Sequence, residues 1–154
     1  MRVVLDTNVL ARTVIRTSGL GRELLLRCTE NPHVLVLSEF IISEVSRVLR
    51  YPRMRKSHGL SDQDIEEYLG DLRSACVIVL LPDETPPTVV PADPADDPVV
   101  ATAIVGQATM LCSLDRHLHQ PEVTAYCRAH GVEVIRDVEL MQRLRESDEG
   151  AIDQ

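Results

Sequence analysis

Aromatic residues are scarce in this sequence, which has no tryptophan, one phenylalanine and three tyrosines. Any hydrophobic core must therefore consist of Val, Leu, Ile and Ala, and the hydrophobic share of 44% over 154 residues is enough for one domain. The sequence has no run of about 18 apolar residues, so we expect no transmembrane helix. The N-terminus reaches a charged residue, Asp6, too early for a signal peptide. We therefore expect a cytoplasmic protein.

Closely spaced cysteines and an excess of positive charge are also missing. The four cysteines form no Cys-x-x-Cys pair, which argues against a zinc site and favours reduced, buried thiols. With 16 Lys and Arg against 24 Asp and Glu, the formal net charge is −8, which argues against a general nucleic-acid coating protein. A nuclease stays possible, because a divalent-cation site concentrates carboxylates and the bound metal reverses the local field.

Short apolar runs alternate with amphipathic segments along the chain. Buried strands are predicted at 3–5, 34–37, 77–81, 110–112 and 132–135. Helical periodicity marks most of the segments between them, and a proline-rich loop covers 82–98. The alternation predicts an α/β fold with a central parallel sheet of about five strands and helices on both faces. We expect one domain over residues 1–145 and a polar, disordered tail over 146–154.

Four acidic residues stand where such a fold can bring them together. Asp6 ends the first strand and Asp115 follows the fourth, and open parallel sheets bind ligands at the carboxyl ends of their strands. Glu44 lies two turns into the helix after the second strand, close to its apolar face, and Asp97 begins the helix after the proline loop. Converging carboxylates repel one another unless a cation compensates them. Mg²⁺ and Mn²⁺ prefer oxygen ligands and suit phosphodiester hydrolysis.

Each acid also has an ordinary structural explanation. Asp6 and Asp97 could be helix caps, Glu44 could be a solvated helix residue, and Asp115 could be a turn residue. Four further polar residues could either support an acidic site or serve only as helix caps and solvated loop residues: Thr7, Asn8, Asp93 and Asp96.

Positive charge is concentrated in one run, which could hold an RNA backbone or form a solvated face. Its members are Arg47, Arg50, Arg53, Arg55 and Lys56. Arg12 and Arg16 follow Asp6 at helical spacing and could act similarly. His117 and His119 flank Asp115 and are expected in a surface turn.

Four segments of the sequence resemble the motifs of PIN (PilT N-terminus) domains, in the order and with the gaps of that family. They are Val4–Leu10, Ser43–Val45, Asp96–Ala103 and Leu111–Asp115. The resemblance covers about residues 2–144. Two positions depart from it, because Pro98 and Leu114 stand where relatives carry other residues. Ser113 still offers a hydroxyl where relatives usually have Thr, so the resemblance gives it a supporting role in the site.

The chain is most similar to the PIN branch of toxins from toxin–antitoxin pairs, related to VapC-type toxins. The resemblance implies a Mg²⁺- or Mn²⁺-dependent endoribonuclease, often a homodimer, that a cognate antitoxin protein holds inactive. In this interpretation Asp6 and Asp97 bind the metal directly and Asp115 binds it directly or through water. Glu44 is a further ligand or the base that orients the attacking water.

Two other functions stay open at this point. A PIN-like fold could be a catalytically inactive interaction module. An aspartyl-phosphate phosphohydrolase could use a similar sheet, but it needs a second Asp two positions after the first, where this sequence has Asn8.

Overall fold

A computed structural model of the chain describes residues 1–15 and 18–152. Arg16, one of the candidate RNA-contacting arginines, lies outside these residues. The fold is α/β, with one five-stranded sheet in the order β3-β2-β1-β4-β5 and every pair of neighbouring strands parallel. The strands are β1 (Arg2–Leu5), β2 (Val34–Ser38), β3 (Val77–Val79), β4 (Met110–Cys112) and β5 (Glu133–Ile135).

Helices flank this sheet. They are α1 (Thr7–Ile15), α2 (Leu20–Thr29), α3 (Glu39–Leu49), α4 (Pro52–His58), α5 (Asp62–Ala75), α6 (Asp97–Val105), α7 (Pro121–Ala129) and α8 (Asp137–Ile152). The sequence did not predict α4, because its seven residues bury no side chain and so carry no apolar periodicity. Ser61 and Asp64 form a reciprocal capping box at the start of α5, with N···O distances of 3.0 and 3.1 Å.

The continuous apolar runs correspond to strands that are covered on both faces. Val3, Val4 and Leu5 in the central strand β1 are fully buried, as are Leu35 and Val36 in β2. The third strand is shorter than predicted, because the chain leaves the sheet after β3. As an edge strand, β3 has a neighbour on one side only.

Strand register decides which residues meet at the carboxyl edge of the sheet. Leu5 in β1 is paired with Cys112 in β4, and Cys112 is paired in turn with Ile135 in β5. The residues that follow these positions, including Asp6 and Ser113, therefore lie side by side. The four cysteines form no disulfide; three are buried and Cys76 is half-buried, in agreement with the predicted reduced thiols.

The disordered tail expected from residue 146 is not what the structure shows, because α8 continues through Ile152. Its last turns are held by long-range contacts that the polar composition does not reveal. Asp148 accepts hydrogen bonds from Arg27 Nη1 at 2.5 Å and from the buried His33 Nε2 at 2.9 Å. His33 Nδ1 in turn lies 3.0 Å from the amino group of Met1. Among the described residues, no helix is long and apolar enough to cross a membrane.

These contacts predict that the end of α8 contributes to stability. Asp148→Ala should lower the free energy of unfolding by about 1 kcal/mol, because it leaves the buried His33 nitrogen without an acceptor. Urea denaturation measures this value. Glu149→Ala, at the exposed next position, is the matched control and should change stability by less than about 0.5 kcal/mol. Equal effects of the two substitutions would contradict an anchoring role for Asp148.

Candidate active site

Asp6 lies at the carboxyl end of β1 and is only 4% exposed. Its Oδ1 accepts a hydrogen bond from the Thr7 backbone N–H at 2.7 Å, and its Oδ2 accepts one from Ser113 Oγ at 2.7 Å. Burial raises the pKa of Asp6, the two hydrogen bonds oppose that shift, and the charges of Asp115 and Glu44 add to it. Asp6 is thus held in one orientation while other acids crowd it.

The loop after β4 is fastened to β1 and α1 by side chains that the sequence analysis placed in supporting roles. Ser113 Oγ donates to Asp6 and accepts the Asp115 backbone N–H at 3.0 Å. Asn8 Oδ1 accepts the Leu114 N–H at 3.3 Å. One hydroxyl therefore sets the positions of two carboxylates that are 109 residues apart in the chain.

The two histidines after Asp115 lie in the predicted turn. The His117 N–H donates to Asp115 Oδ1 at 2.9 Å. His119 Nε2 is 2.7 Å from the Ser113 carbonyl oxygen, and because a carbonyl only accepts, the imidazole donates. Both residues thus support the loop that carries Asp115.

A second group of carboxylates completes the acidic cleft. Asp93, Asp96 and Asp115 each place a carboxylate oxygen within 4.8 Å of the other two. Asp96 Oδ2 is buried and has no hydrogen-bond partner among the described residues. Burial, followed by the charges of Asp6, Asp115 and Asp93, raises the pKa of Asp96 to about 8. Without a cation, Asp96 therefore holds a proton near neutral pH.

Asp97 has different partners from its neighbour. Its side chain is 5% exposed, and Oδ1 accepts the backbone N–H groups of Val89 and Val90 at 2.9 and 2.8 Å. Asp97 therefore ties the proline-rich loop to the start of α6. Within the described residues, the carboxylate cluster contains Asp96 and not Asp97. The geometry thus exchanges the roles that the sequence analysis gave these two residues.

The different positions of the Asp96 and Asp97 side chains have a local cause. A 3₁₀ turn, Pro94–Asp96, precedes α6, and Asp93 caps it by accepting the Ala95 N–H at 3.2 Å. Two consecutive residues at such a junction direct their side chains differently. The adjacency of Asp96 and Asp97 in the sequence gives no indication of which one enters the cleft.

Glu44 lies on α3, close enough to Asp6 to raise its pKa. Both Glu44 oxygens are bound by Arg47, with Nη2···Oε2 at 2.5 Å and Nε···Oε1 at 3.3 Å. Tyr51 supports the arginine, because Arg47 Nη1 donates to its hydroxyl and the guanidinium lies 5.6 Å from its ring centroid. Glu44 thus faces the cleft as one half of an ion pair.

Two of the four other members of the basic run pair with acids of α5. Arg50 pairs with Glu66 at 2.6 Å, and Arg55 pairs with Asp62. In the part of the chain that the structure describes, Arg53 and Lys56 are exposed and have no acidic partner. This run therefore offers much less free positive charge than its sequence indicates.

The two departures from the PIN motifs are accommodated. Pro98 is the second residue of α6, where a missing N–H costs no helical hydrogen bond, and its carbonyl accepts Thr102 Oγ1 at 2.7 Å. Leu114 is half-buried against the core. Neither residue disturbs the carboxylate cluster.

The donors in the cleft fit a hard divalent cation. They are all carboxylate oxygens, and the unpartnered Asp96 oxygen lies beside two others. Such a set suits Mg²⁺ or Mn²⁺ and lacks the nitrogen and sulfur ligands that zinc prefers. We infer that Asp93, Asp96 and Asp115 would hold the metal, with the charge of Asp6 beside them.

Comparison with known proteins agrees with this geometry. The family model of the PIN domain matches residues 2–117, well over half of the chain. The matched region includes Asp6, Glu44, Asp96 and Asp115. A search of curated proteins returned no significant match.

The structural role of Asp97 predicts a difference between two substitutions. Asp97→Ala should lower the free energy of unfolding by about 2–4 kcal/mol, because two buried amide donors lose their acceptor. Asp97→Asn keeps an acceptor oxygen and should recover more than half of that loss. Chemical denaturation of the metal-free protein measures both values, and equal losses would argue against this role.

The raised pKa of Asp96 predicts a pH dependence of stability in the absence of metal. The folded protein binds a proton at Asp96 up to about pH 8, whereas the unfolded chain releases it near 3.8. This stabilising contribution is complete below the unfolded value and is lost as the pH rises to about 8. The stability of the parent relative to Asp96→Asn should therefore fall between pH 4 and 8 in EDTA. A difference that stays constant over this range would contradict the crowding of charges.

Proposed function

Because the chain belongs to the PIN domain family, whose members are typically metal-dependent nucleases, we propose that it is a Mg²⁺- or Mn²⁺-dependent endoribonuclease. Its substrate would be an RNA phosphodiester bond. The observation that carries the proposal is the buried, unpartnered oxygen of Asp96 among the carboxylates of Asp6, Asp93 and Asp115. The carboxylates repel one another when the cleft is empty. A bound cation would compensate their charge and would also attract the substrate phosphate.

The residues of the cleft divide the work between holding the metal and handling protons. Asp93, Asp96 and Asp115, with Asp6 beside them, would hold the cation, which would lower the pKa of a water molecule and stabilise negative charge on the phosphate. The Ser113 hydroxyl and the Thr7 N–H each donate a hydrogen bond to Asp6, so its carboxylate is oriented before substrate arrives. Asp97 takes no part in binding and keeps the loop beside Asp96 in place.

Glu44 is the residue best placed to orient or deprotonate the attacking water. It lies beside Asp6, and its carboxylate is not part of the three-carboxylate cluster. Arg47 binds this carboxylate and fixes its orientation beside the cleft. A substrate phosphate would compete with Glu44 for the Arg47 guanidinium.

We propose further that the enzyme is the toxin of a toxin–antitoxin pair, acts as a homodimer and is inhibited by a cognate antitoxin. The support is the similarity of the chain to the PIN branch of toxins from toxin–antitoxin pairs, which is related to VapC-type toxins. A neighbouring reading frame that encodes a small DNA-binding protein would support this role. An isolated gene would count against it.

Cleavage of single-stranded RNA by the purified protein tests the proposed activity. The parent should cut in Mg²⁺ or Mn²⁺ and not in EDTA. Asp6→Asn and Asp96→Asn should lower the rate at least about 100-fold, because each removes a negative charge from the metal site. Asp97→Asn, which keeps the loop hydrogen bonds, should stay within about tenfold of the parent.

Two controls make this experiment decisive. Asp83→Asn changes an exposed loop acid outside the cluster and should leave the rate unchanged. Mn²⁺ should raise the melting temperature of the parent and not that of Asp96→Asn. Metal-independent cleavage, or cleavage that persists in both Asp6→Asn and Asp96→Asn, would disprove the proposed site.

A further inference from the structure

A second cleft opens among the first turns of α2 and α8 and the middle of α1. Its volume is about 470 Å³. The side chains of Arg12, Arg22 and Asp137 line it, together with the backbone of Gly19 and Gly21. Neither Arg22 nor this glycine segment belongs to a motif recognisable in the sequence.

This cleft lies on the same edge of the sheet as the carboxylates. Helix α1 starts directly after Asp6, and Arg12 is six residues further on. Helix α2 ends a few residues before β2 begins, so its first turn, with Arg22, is at the carboxyl edge. Asp137 follows the end of β5, which is next to β4. A single-stranded RNA that extends from the acidic cleft along this edge of the sheet would therefore run towards the two arginines.

The cleft has a net positive charge, because in the described part of the chain its two arginines outnumber its one acid and lack close acidic partners. Among the described residues, Arg22 is exposed and has no acidic side chain within ion-pair distance. Arg12 Nη1 lies 3.9 Å from Asp137 Oδ2, and the Arg12 side chain is 64% exposed. Asp137 Oδ1 already accepts the Val138 N–H at 2.9 Å. In contrast, Arg47, Arg50 and Arg55 are bound closely by acids.

We propose that this cleft binds a backbone phosphate of single-stranded RNA, one or more nucleotides away from the bond that is cut. The inference rests on the proposed ribonuclease function and adds a subsite to it. A guanidinium fork matches a phosphate in shape and charge, and Arg22 and Arg12 approach from two different helices. In a protein of net charge −8, such a local pair supplies attraction that the protein as a whole does not.

RNA binding at several salt concentrations tests the subsite without relying on catalysis. The Asp96→Asn protein, which should not cut, is titrated into a labelled 12-nucleotide RNA and followed by fluorescence anisotropy. Adding Arg22→Ala should weaken binding about tenfold. It should also lower the slope of log K against log salt by about 0.7, the value for one phosphate contact in a single strand. Arg22→Lys should restore part of the affinity and part of the salt slope.

Arg128→Ala is the matched control. Arg128 is exposed near the end of α7, at the opposite edge of the sheet, so its substitution should leave affinity and slope unchanged.

Cleavage by proteins with intact carboxylates gives the second measurement. Arg22→Ala should slow cleavage of the 12-nucleotide RNA and leave cleavage of a dinucleotide unchanged, since a dinucleotide has no phosphate beyond the scissile one.

The outcomes separate this inference from the proposed function. If the parent cuts RNA and Arg22→Ala binds and cuts like Arg128→Ala, the subsite is wrong and the ribonuclease stands. An equal loss on the long RNA and the dinucleotide would also overturn the subsite, because it would show a general effect on the site. If the parent neither binds nor cuts RNA, both proposals fail.

Discussion

Repulsion between carboxylates gathered at one edge of a parallel sheet is the constraint on which this structure depends. Asp6, Asp96 and Asp115 come from distant parts of the chain, and burial makes their mutual repulsion stronger. A fold tolerates such a cluster when a proton or a cation neutralises it. The raised pKa of Asp96 allows a proton to neutralise the cluster when no cation is bound. The rest of the site keeps the charges together despite their repulsion.

Hydrogen bonds to the backbone and to Ser113 perform this task. Asp6 is fixed by the Thr7 N–H and by Ser113, and the same hydroxyl accepts the amide of Asp115. Asp97 uses its charge to bind two amides of the proline-rich loop, which stabilises the start of α6 next to Asp96. Two adjacent aspartates therefore have separate functions: one maintains the architecture and the other supplies the unpaired oxygen.

The distribution of positive charge follows the same logic. Arg50 and Arg55 of the basic run form ion pairs with acids of α5, and Arg47 pairs with Glu44 at the margin of the acidic cleft. The arginines that lack close acidic partners are therefore more informative about nucleic-acid binding than the density of arginine in the sequence. Arg22 is of this kind, and its position in the fold, not its sequence context, identifies it.

The sequence alone determined the α/β architecture, because continuous apolar runs such as Val3–Leu5 and amphipathic periodicity are local properties that a parallel sheet requires. It also indicated Asp6 and Asp115 as neighbours, since both follow strands whose carboxyl ends share one edge. Tertiary structure alone decided between Asp96 and Asp97, extended α8 through Asp148, and exposed Arg22 in a cleft. These three features depend on contacts with residues far away in the chain, and the pattern of neighbouring residues does not encode such contacts.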